Sequence, residues 1–370
     1  MSITILLILS TLTSFSLAYI LIPVVIKTAH SKNLFDLPDA RKQHTKPTPP
    51  LGGIAIFIAL VCSVLLWVDG ATMDLIRYPL VAMLVLFFVG LKDDLLEIKA
   101  LKKLFIQIAM ALVVCFGGIK IESLHGFLGI YELPVILQYV LSLIFVVGLT
   151  NAYNLIDGID GLAGGIASIA GLCFAALFIA QGDYGFAICA LALVGSLMGF
   201  LRYNFSPAKI FMGDTGSLSV GVLLSIMAVR LLQQGGSWNL TQFEAQWLPV
   251  WIFAIFSVPM IDITQVMIKR IIDRRSPFSP DRGHVHHMLQ RAGFSHAQAS
   301  IRLYGVSILN IAITFYCASQ GWNSNAGFVI VLGTSLILLS MLSEMEKTQA
   351  TPLALRKFKQ VLIVIQNYLF

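Results

Sequence analysis

Long apolar runs recur from one end of this 370-residue chain to the other, and they restrict it to a membrane fold. A helix needs about 20 apolar residues to cross a bilayer. With 57% hydrophobic residues, 12% charged residues and a mean hydropathy of +0.84, the chain is neither a soluble domain nor a disordered one. We therefore predict an all-α polytopic membrane protein with about eleven transmembrane helices. The runs lie at residues 3–26, 51–68, 75–91, 103–119, 133–150, 162–181, 184–201, 216–233, 247–268, 303–319 and 326–343.

Positive charge gives the orientation of these runs, because the cytoplasmic loops of membrane proteins are rich in Lys and Arg. All of the 25 Lys and Arg residues except Arg77, Lys120 and Arg230 lie in alternate connections or in the C-terminal tail. We therefore predict an external N-terminus, a transmembrane domain over residues 1–343 and a basic cytoplasmic tail over residues 344–370. The predicted cytoplasmic loops are 27–50, 92–103, 151–161, 202–215 and 269–302.

The remaining composition excludes several classes of partner. The net charge of +6 follows from the loop asymmetry and favours anionic lipid. Nucleic acid is not expected, because no loop combines a long basic run with aromatic residues. The five cysteines lie singly in apolar runs without a C-x-x-C pair, so neither disulfides nor a zinc site is expected.

Acids and histidines lie at the ends of the apolar runs, on the predicted cytoplasmic side. A bilayer penalises ionised side chains at its centre, so such a row indicates a site at the water boundary. Carboxylates and amides suit a divalent cation and a phosphate-bearing substrate. The candidates on this side are Asp93, Asp94, Asn154, Asp157, Asp160, Asn204, Asp214, His284, His286 and His287.

Four polar residues recur at every third position where the fifth run ends: Asn151, Asn154, Asp157 and Asp160. In a 3₁₀ turn they would lie on one side, and in an α-helix they would spread over about half the circumference. Either conformation lets two carboxylates and two amides face one cavity. The two acids have no neighbouring Lys or Arg, so they repel each other unless a cation or donor joins them.

Two further acidic positions each allow a functional and a structural interpretation. Asp93 and Asp94 could bind a metal or act as a base, or they could form a solvated turn neutralised by the lysines that follow. Asp214 lies in a glycine-flanked turn before the eighth run, where it could hold Mg²⁺ or simply cap a helix.

The 269–302 loop combines several arginines with His284, His286 and His287. Arginine binds phosphate bidentately and histidine can donate to it, so we favour phosphate contact over a transition-metal site. Asp262 lies inside the ninth run, and its role as a functional residue or as a helix–helix hydrogen bond stays open.

Together these motifs resemble those of the bacterial polyprenyl-phosphate N-acetylhexosamine 1-phosphate transferases, which are classed as glycosyltransferase family 4. The resemblance covers nearly the whole chain, and this family has many spans with active-site loops at the cytoplasmic face. The motifs are Arg41-Lys-Gln-His44, Gly52-Gly53, Asp93-Asp94, Asn151-x-x-Asn154-x-x-Asp157-Gly-x-Asp160-Gly, Phe211-Met-Gly-Asp214-x-Gly-Ser217 and Pro280-Asp-Arg-Gly-His-Val-His-His287.

The resemblance implies a reaction in the bacterial inner membrane, with the active site facing the cytoplasm. N-acetylglucosamine 1-phosphate would pass from UDP-GlcNAc to undecaprenyl phosphate, releasing UMP, with Mg²⁺ or Mn²⁺ as cofactor. The product would begin a cell-envelope polysaccharide such as O antigen, common antigen or teichoic acid. A homodimer is compatible with the resemblance.

The resemblance also assigns roles to residues. Asp93 would be the base, Asp94 would support it and share the metal with Asp214, and Asp157 and Asp160 would complete the catalytic acids on the uridine-diphosphate side. The substrate-binding residues would be His44, Asn154, Asn204, Phe211, Arg282, His284, His286 and His287.

Alternatives remain in chemistry and in class. The donor could be another UDP-2-acetamido-sugar or UDP-MurNAc-pentapeptide, and a two-step route through an Asp–phosphosugar intermediate uses the same residues. We favour direct attack because it places fewer demands on the geometry of the site than the two-step route does. A cation-coupled transporter is the alternative of another class. It is disfavoured because the candidates lie at the ends of the runs and the two halves show no evident repeat.

Overall fold

The computed structural model of the protein describes residues 1–35, 47–235, 244–274 and 283–349, with side chains described as far as residue 342. Within these ranges the regular elements are helices, which confirms the all-α polytopic membrane fold. His44, Arg282 and residues 350–370 of the predicted tail lie outside the described residues. The α-helices are α1 Ile3–Ser31, α2 Gly52–Trp67, α3 Gly70–Leu95, α4 Ala100–Phe116, α5 Val135–Ile156, α6 Leu162–Gln181, α7 Tyr184–Asn204, α8 Gly213–Gln233, α9 Leu248–Ile255, α10 Ser257–Ile272, α11 Val285–Arg291, α12 His296–Ser319 and α13 Ser324–Gln349.

Ten of the eleven predicted apolar runs each overlap one helix, and the run 247–268 overlaps the two helices α9 and α10. Eight of the described helices are long and apolar enough to cross a membrane, and the bent pair α9–α10 raises the number to nine. The helices α2 and α4, with 16 and 17 residues, fall short of that length. Eleven spans and their orientation therefore stay predictions.

Several helices continue past the apolar runs that predicted them. α3 begins at Gly70, where the Asp69 carboxylate accepts a hydrogen bond from Thr72 N at 2.9 Å, and it passes through Pro79 without ending. The run 75–91 was therefore too short, and Asp93 lies in the last turn of α3. Hydropathy detects only the apolar part of a helix, whereas hydrogen-bonded polar side chains allow the helix to continue.

The helix α8 is the centre of the fold. Most of its residues are buried, and it packs against α2, α3, α5 and α6. Glycines allow this packing. A Cβ at Gly53 of α2 would lie 2.1 Å from Gly216 N, and one at Gly90 of α3 would lie 2.3 Å from Asp214 O. The N-terminal turn of α8 is thus held between two neighbouring backbones.

The ninth apolar run is broken. α9 and α10 meet at Phe256 with a bend of 68°. The Asn310 amide of α12 donates to Ser257 Oγ at 2.9 Å and to Ser335 Oγ of α13 at 2.8 Å, which ties the break to two other helices. Beyond α10, the short helix α11 lies inside the predicted 269–302 loop and had no signal in hydropathy.

The other end of α8 carries an ion pair. Arg230 Nε lies 2.9 Å from Asp183 Oδ2, and Gln234 Nε2 donates to the same oxygen at 2.7 Å. Asp183 also accepts from Phe186 N at 3.2 Å and so caps α7. Nearby, the connection between α4 and α5 contains an antiparallel bridge between Ser123 and Glu132.

Candidate active site

One end of the helix bundle gathers polar side chains from four helices. The C-terminal turns of α3 and α5 and the N-terminal turns of α4 and α8 reach this end. α4 and α8 each pack against both α3 and α5. The side chains that meet are Asp93, Lys103, Asn154 and Asp214.

Lys103 joins the two principal acids of this end. Its Nζ lies 2.6 Å from Asp93 Oδ2 and also bonds Asp214 Oδ2. The other Asp93 oxygen accepts from Ile98 N at 2.5 Å. The Lys103 side chain is 16% exposed and that of Asp214 26%, so the three charges are partly screened from water but remain reachable. From the sequence, Lys103 was only one of several lysines that could neutralise a turn at Asp93 and Asp94.

Asn154 connects α5 to the same group. Its Nδ2 donates to Asp214 Oδ1 at 2.8 Å and lies 2.7 Å from Ser217 Oγ. Asn151, one turn earlier, bonds Gln107 Oε1 of α4 at 2.8 Å instead. The four-residue repeat is therefore α-helical as far as residue 156 and continues as a turn, and its two amides have different partners.

Asp94 holds the start of α8. Its Oδ1 accepts from Asp214 N at 2.8 Å, and its Oδ2 accepts from Thr215 N at 2.9 Å and Thr215 Oγ1 at 2.5 Å. Gly213 has a φ of +70°, and a Cβ there would lie 2.6 Å from Asp94 Oδ2. Asp94 thus supplies from α3 the cap that α8 lacks in its own sequence. Its predicted roles as a catalytic residue and metal ligand stay predictions.

Asp157 lies in the turn after α5, beside these acids. Burial, followed by the negative charges of Asp214 and Asp94, raises the pKa of Asp157 to about 8. With Asp93, Asp94 and Asp214 it forms what we call the acidic cluster, which has Lys103 as its cation. Because carboxylates that share a site repel each other, the cluster favours an added positive charge.

Asp160 ties three segments together. Its Oδ2 accepts from Ala208 N at 3.0 Å, its Oδ1 lies 3.0 Å from His296 Nδ1, and its backbone oxygen accepts from Ser300 Oγ at 2.9 Å. Burial alone would raise the pKa of Asp160, but the His296 hydrogen bond and charge and the Ala208 N–H hold it below its usual value. The sequence missed His296, which lies 136 residues away.

Asn204 and Phe211 border the same turn. The Asn204 amide accepts from Gly161 N at 2.9 Å and donates to Ile210 O at 2.9 Å, so it fixes the connection between α7 and α8. Phe211 pairs by its backbone, with its N–H donating to Pro49 O and its oxygen accepting from Gly52 N, both at 2.9 Å. The substrate contacts predicted for Asn204 and Phe211 stay predictions.

The three histidines form a second group on the Asp157–Asp160 turn. The rings of His286 and His287 lie 4.3 Å apart by their centroids, and those of His284 and His286 lie 5.8 Å apart and nearly parallel. A Cβ at Gly158 would lie 2.2 Å from His286 Nε2, so that ring packs directly on the turn. Burial, followed by the neighbouring His287 and His284, holds the pKa of His286 well below its usual value.

Asp262 holds the first of these histidines. Its Oδ2 lies 2.8 Å from His284 Nδ1, and its Oδ1 accepts from Val285 N at 2.7 Å. Asp262 therefore makes a hydrogen bond from α10 to the start of α11, as one of the two interpretations from the sequence expected, and a functional role for it stays a prediction. Among the described residues, no three His, Cys, Asp or Glu side chains are arranged to hold a metal ion.

The chain is similar to known proteins of one family. Residues 76–232 match Glycosyl transferase family 4. A probable undecaprenyl-phosphate N-acetylglucosaminyl 1-phosphate transferase of Bacillus subtilis is 33% identical over 344 residues, which cover 92% of this chain and 90% of that protein. The chain belongs to glycosyl transferase family 4. The family 4 match contains the whole acidic cluster, whereas Asp262 and the histidines lie outside it.

Two other relatives cover less of the chain. A decaprenyl-phosphate N-acetylglucosaminephosphotransferase of Mycobacterium leprae is 31% identical over 331 residues, covering 81% of this chain and 82% of that protein. An undecaprenyl-phosphate alpha-N-acetylglucosaminyl 1-phosphate transferase of Escherichia coli is 32% identical over 281 residues, covering 74% of each. This family 4 member is therefore an enzyme, as the sequence predicted, and a transporter is disfavoured.

Proposed function

We propose that this protein transfers N-acetylglucosamine 1-phosphate from UDP-GlcNAc to undecaprenyl phosphate. An oxygen of the lipid phosphate attacks the β-phosphorus of UDP-GlcNAc, the bond from that phosphorus to the bridging oxygen breaks, and UMP leaves with the bridging oxygen. The products are undecaprenyl-diphospho-GlcNAc and UMP. The names of the relatives from Bacillus subtilis and Escherichia coli support this donor sugar and acceptor.

The acidic cluster at the helix ends is the observation that carries the proposal. It joins α3, α4, α5 and α8 at one end of a membrane bundle, where a soluble nucleotide and a lipid phosphate can both arrive. Phosphoryl transfer requires positioning and charge compensation more than covalent chemistry by the protein. The lysine bonds hold the acids in fixed positions, and the partly exposed excess of acids can bind an added cation.

Mg²⁺ needs only one or two carboxylates from a protein, so the donor set fits Mg²⁺ or Mn²⁺ although no three such side chains of the described residues form a complete metal site. The cluster offers carboxylate oxygens and Asn154 beside it offers an amide oxygen, which hard divalent cations prefer, and the acids of the cluster outnumber its lysine. Asp214 would hold the metal, with Asp94 beside it by resemblance. Bound there, the cation would neutralise the charge of the diphosphate.

The residues of the chain then have separate tasks. Asp93 would take the proton of the lipid phosphate, since the dianion is a better nucleophile than the monoanion. Lys103 holds the carboxylates of Asp93 and Asp214 close together, and Asn154 of α5 fixes Asp214 by a hydrogen bond. The histidines would bind the sugar-phosphate side of the donor. The orientation with this end in the cytoplasm of an inner membrane follows from the positive loops and belongs to the proposal.

UMP release by the purified protein tests the proposal. Undecaprenyl phosphate and Mg²⁺ would be supplied with UDP-GlcNAc, UDP-GalNAc or UDP-MurNAc-pentapeptide in parallel. We expect release with UDP-GlcNAc and not with the other two. Release with the pentapeptide donor alone would place the enzyme among the muramoyl transferases, and no release with any donor would refute the proposed reaction.

A control for the UMP assay uses the ion pair at the far end of α8. Asp183→Asn removes a buried charge outside the acidic cluster, so it should reduce stability without changing the donor that is used. If Asp183→Asn abolished UMP release as Asp214→Asn does, the assay would report folding rather than the site.

A further inference from the structure

The carboxylate of Asp262 is buried within α10, and both of its oxygens are engaged. The residue is 1% exposed, and His284, which it contacts, is 4% exposed. One oxygen lies 2.8 Å from His284 Nδ1 and the other accepts from Val285 N at 2.7 Å. Asp262 therefore fixes the start of α11 and one particular nitrogen of its first histidine.

The hydrogen bond selects a tautomer of His284. An ionised carboxylate only accepts hydrogen bonds, so the proton of a neutral His284 ring must lie on Nδ1. Nε2 is then the nitrogen that carries the lone pair, or the second donor when the ring is protonated. Among the described residues, Nε2 of His284 has no hydrogen-bond partner. It is thus the nitrogen left for a ligand.

The position of His284 links it to the acidic cluster. Its ring lies nearly parallel to that of His286, at 5.8 Å between centroids. The His286 ring in turn packs on Gly158, in the turn that contains Asp157 and Asp160. The fixed nitrogen therefore belongs to a group of rings that packs on the turn containing Asp157 and Asp160.

We propose that Asp262 is a positioning residue for the transfer reaction, holding His284 with a proton on Nδ1 so that the Nε2 lone pair accepts a hydrogen bond from a hydroxyl or amide N–H of the sugar nucleotide. This inference rests on the proposed function. It differs from a purely structural role because Asp262→Asn would keep a hydrogen bond to Nδ1 while moving the ring proton to Nε2, and only a role that acts through Nε2 is sensitive to that move. Carboxylates that orient metal-binding histidines typically contribute about 10–100-fold, and we expect a similar range for Asp262 acting through the His284 ring.

Two near-isosteric variants separate the two roles. Asp262→Asn keeps an oxygen for Val285 N, but its amide donates to Nδ1 and forces the ring proton onto Nε2. His284→Asn keeps a donor in place of Nδ1, so Asp262 stays bonded, but it has no nitrogen in place of Nε2. Both variants keep the bond between residues 262 and 284, and Asp262→Asn also keeps the bond to Val285 N, so we expect both to fold.

The experiment measures kcat and KM for UMP release, together with the melting temperature in detergent, for both single variants and the double variant. We expect each single variant to lower kcat about 10–100-fold with a melting temperature close to that of the native protein. The double variant should be no slower than His284→Asn alone, because the carboxylate acts only through the ring.

A matched control loosens α10 without touching the pair. Asn310→Ala removes the hydrogen bonds to Ser257 and Ser335, so it should lower the melting temperature and leave kcat within about threefold. Losses of kcat that multiply in the double variant would overturn the proposal, as would a near-native kcat in either single variant. A loss of kcat in Asn310→Ala as large as in the single variants would overturn it too. If the native protein releases no UMP with any donor, the proposed function itself is wrong.

Discussion

The two ends of α8 both carry charged side chains, and the charges are balanced differently. At one end Arg230 faces a single acid, Asp183, whose oxygens are all used by Arg230, Gln234 and Phe186 N. At the other end Lys103 bonds Asp93 and Asp214 and is the cation of the acidic cluster, which has four carboxyl groups. A balanced, buried pair stabilises helix packing, whereas an excess of one sign indicates a place for a ligand of the opposite sign.

The difference also appears in exposure. The Asp183 side chain is 6% exposed, and that of Asp214 is 26% exposed. Substitutions at the two ends should therefore separate stability from turnover, and four substitutions test this separation.

Asp214→Asn should have the largest effect. It keeps the shape of the side chain but removes the charge that Lys103, Asn154 and a divalent cation share, so turnover should fall by about 10³-fold or more. UMP release across a Mg²⁺ titration measures this. Near-native activity at low Mg²⁺ would show that Asp214 is not the metal ligand.

Asp93→Asn should lower kcat by about 10²–10³-fold, which is the range for loss of a general base. Because the base acts on the lipid phosphate, the affinity for UDP-GlcNAc should change far less. Kinetics and UDP-GlcNAc binding by calorimetry would be measured on the same preparation. Equal losses in rate and binding would argue against a base.

Lys103→Met should reduce kcat by about tenfold and tighten the apparent binding of Mg²⁺. The variant removes the cation that joins Asp93 and Asp214, so the acids attract a divalent cation more strongly while losing their alignment. The apparent Mg²⁺ constant for UMP release reports the change. Weaker Mg²⁺ binding in Lys103→Met would contradict the account of charge balance.

Asp183→Asn should have the smallest effect on turnover, with kcat within about twofold. It leaves Arg230 without its charged partner and should cost about 1–3 kcal/mol of stability. The melting temperature in detergent, compared with that of Arg230→Met, measures the loss. A fall in kcat without a fall in melting temperature would remove the distinction between the two ends.

The sequence predicted the helices and the convergence of acids better than it predicted their partners. Asp93, Asn154 and Asp214 were placed together because each ends or begins an apolar run on the same side. Hydropathy could not show that the helices extend through these residues. It also could not show that Asp94 caps a different helix, since that contact depends on the crossing of α3 and α8.

The partners of the site depend on tertiary structure. Three lysines follow Asp93 closely in sequence, and only the start of α4 shows that Lys103 is the one that reaches Asp214. The pairs Asp262–His284 and Asp160–His296 join residues far apart along the chain. A single sequence contains no signal for such pairs, although a buried acid in an apolar run was a reason to look for one.

Because α8 is unbroken, it fixes the distance between the acidic cluster and the Arg230–Asp183 pair. Asp214 and Arg230 are sixteen residues apart on one continuous helix, which corresponds to roughly 24 Å at 1.5 Å per residue. Inserting one residue between them would shift one end by about 1.5 Å and rotate it by about 100° relative to the other. Only one of the two residues could then keep its partner, so the distance between the two faces of the enzyme is set by the number of residues in this helix.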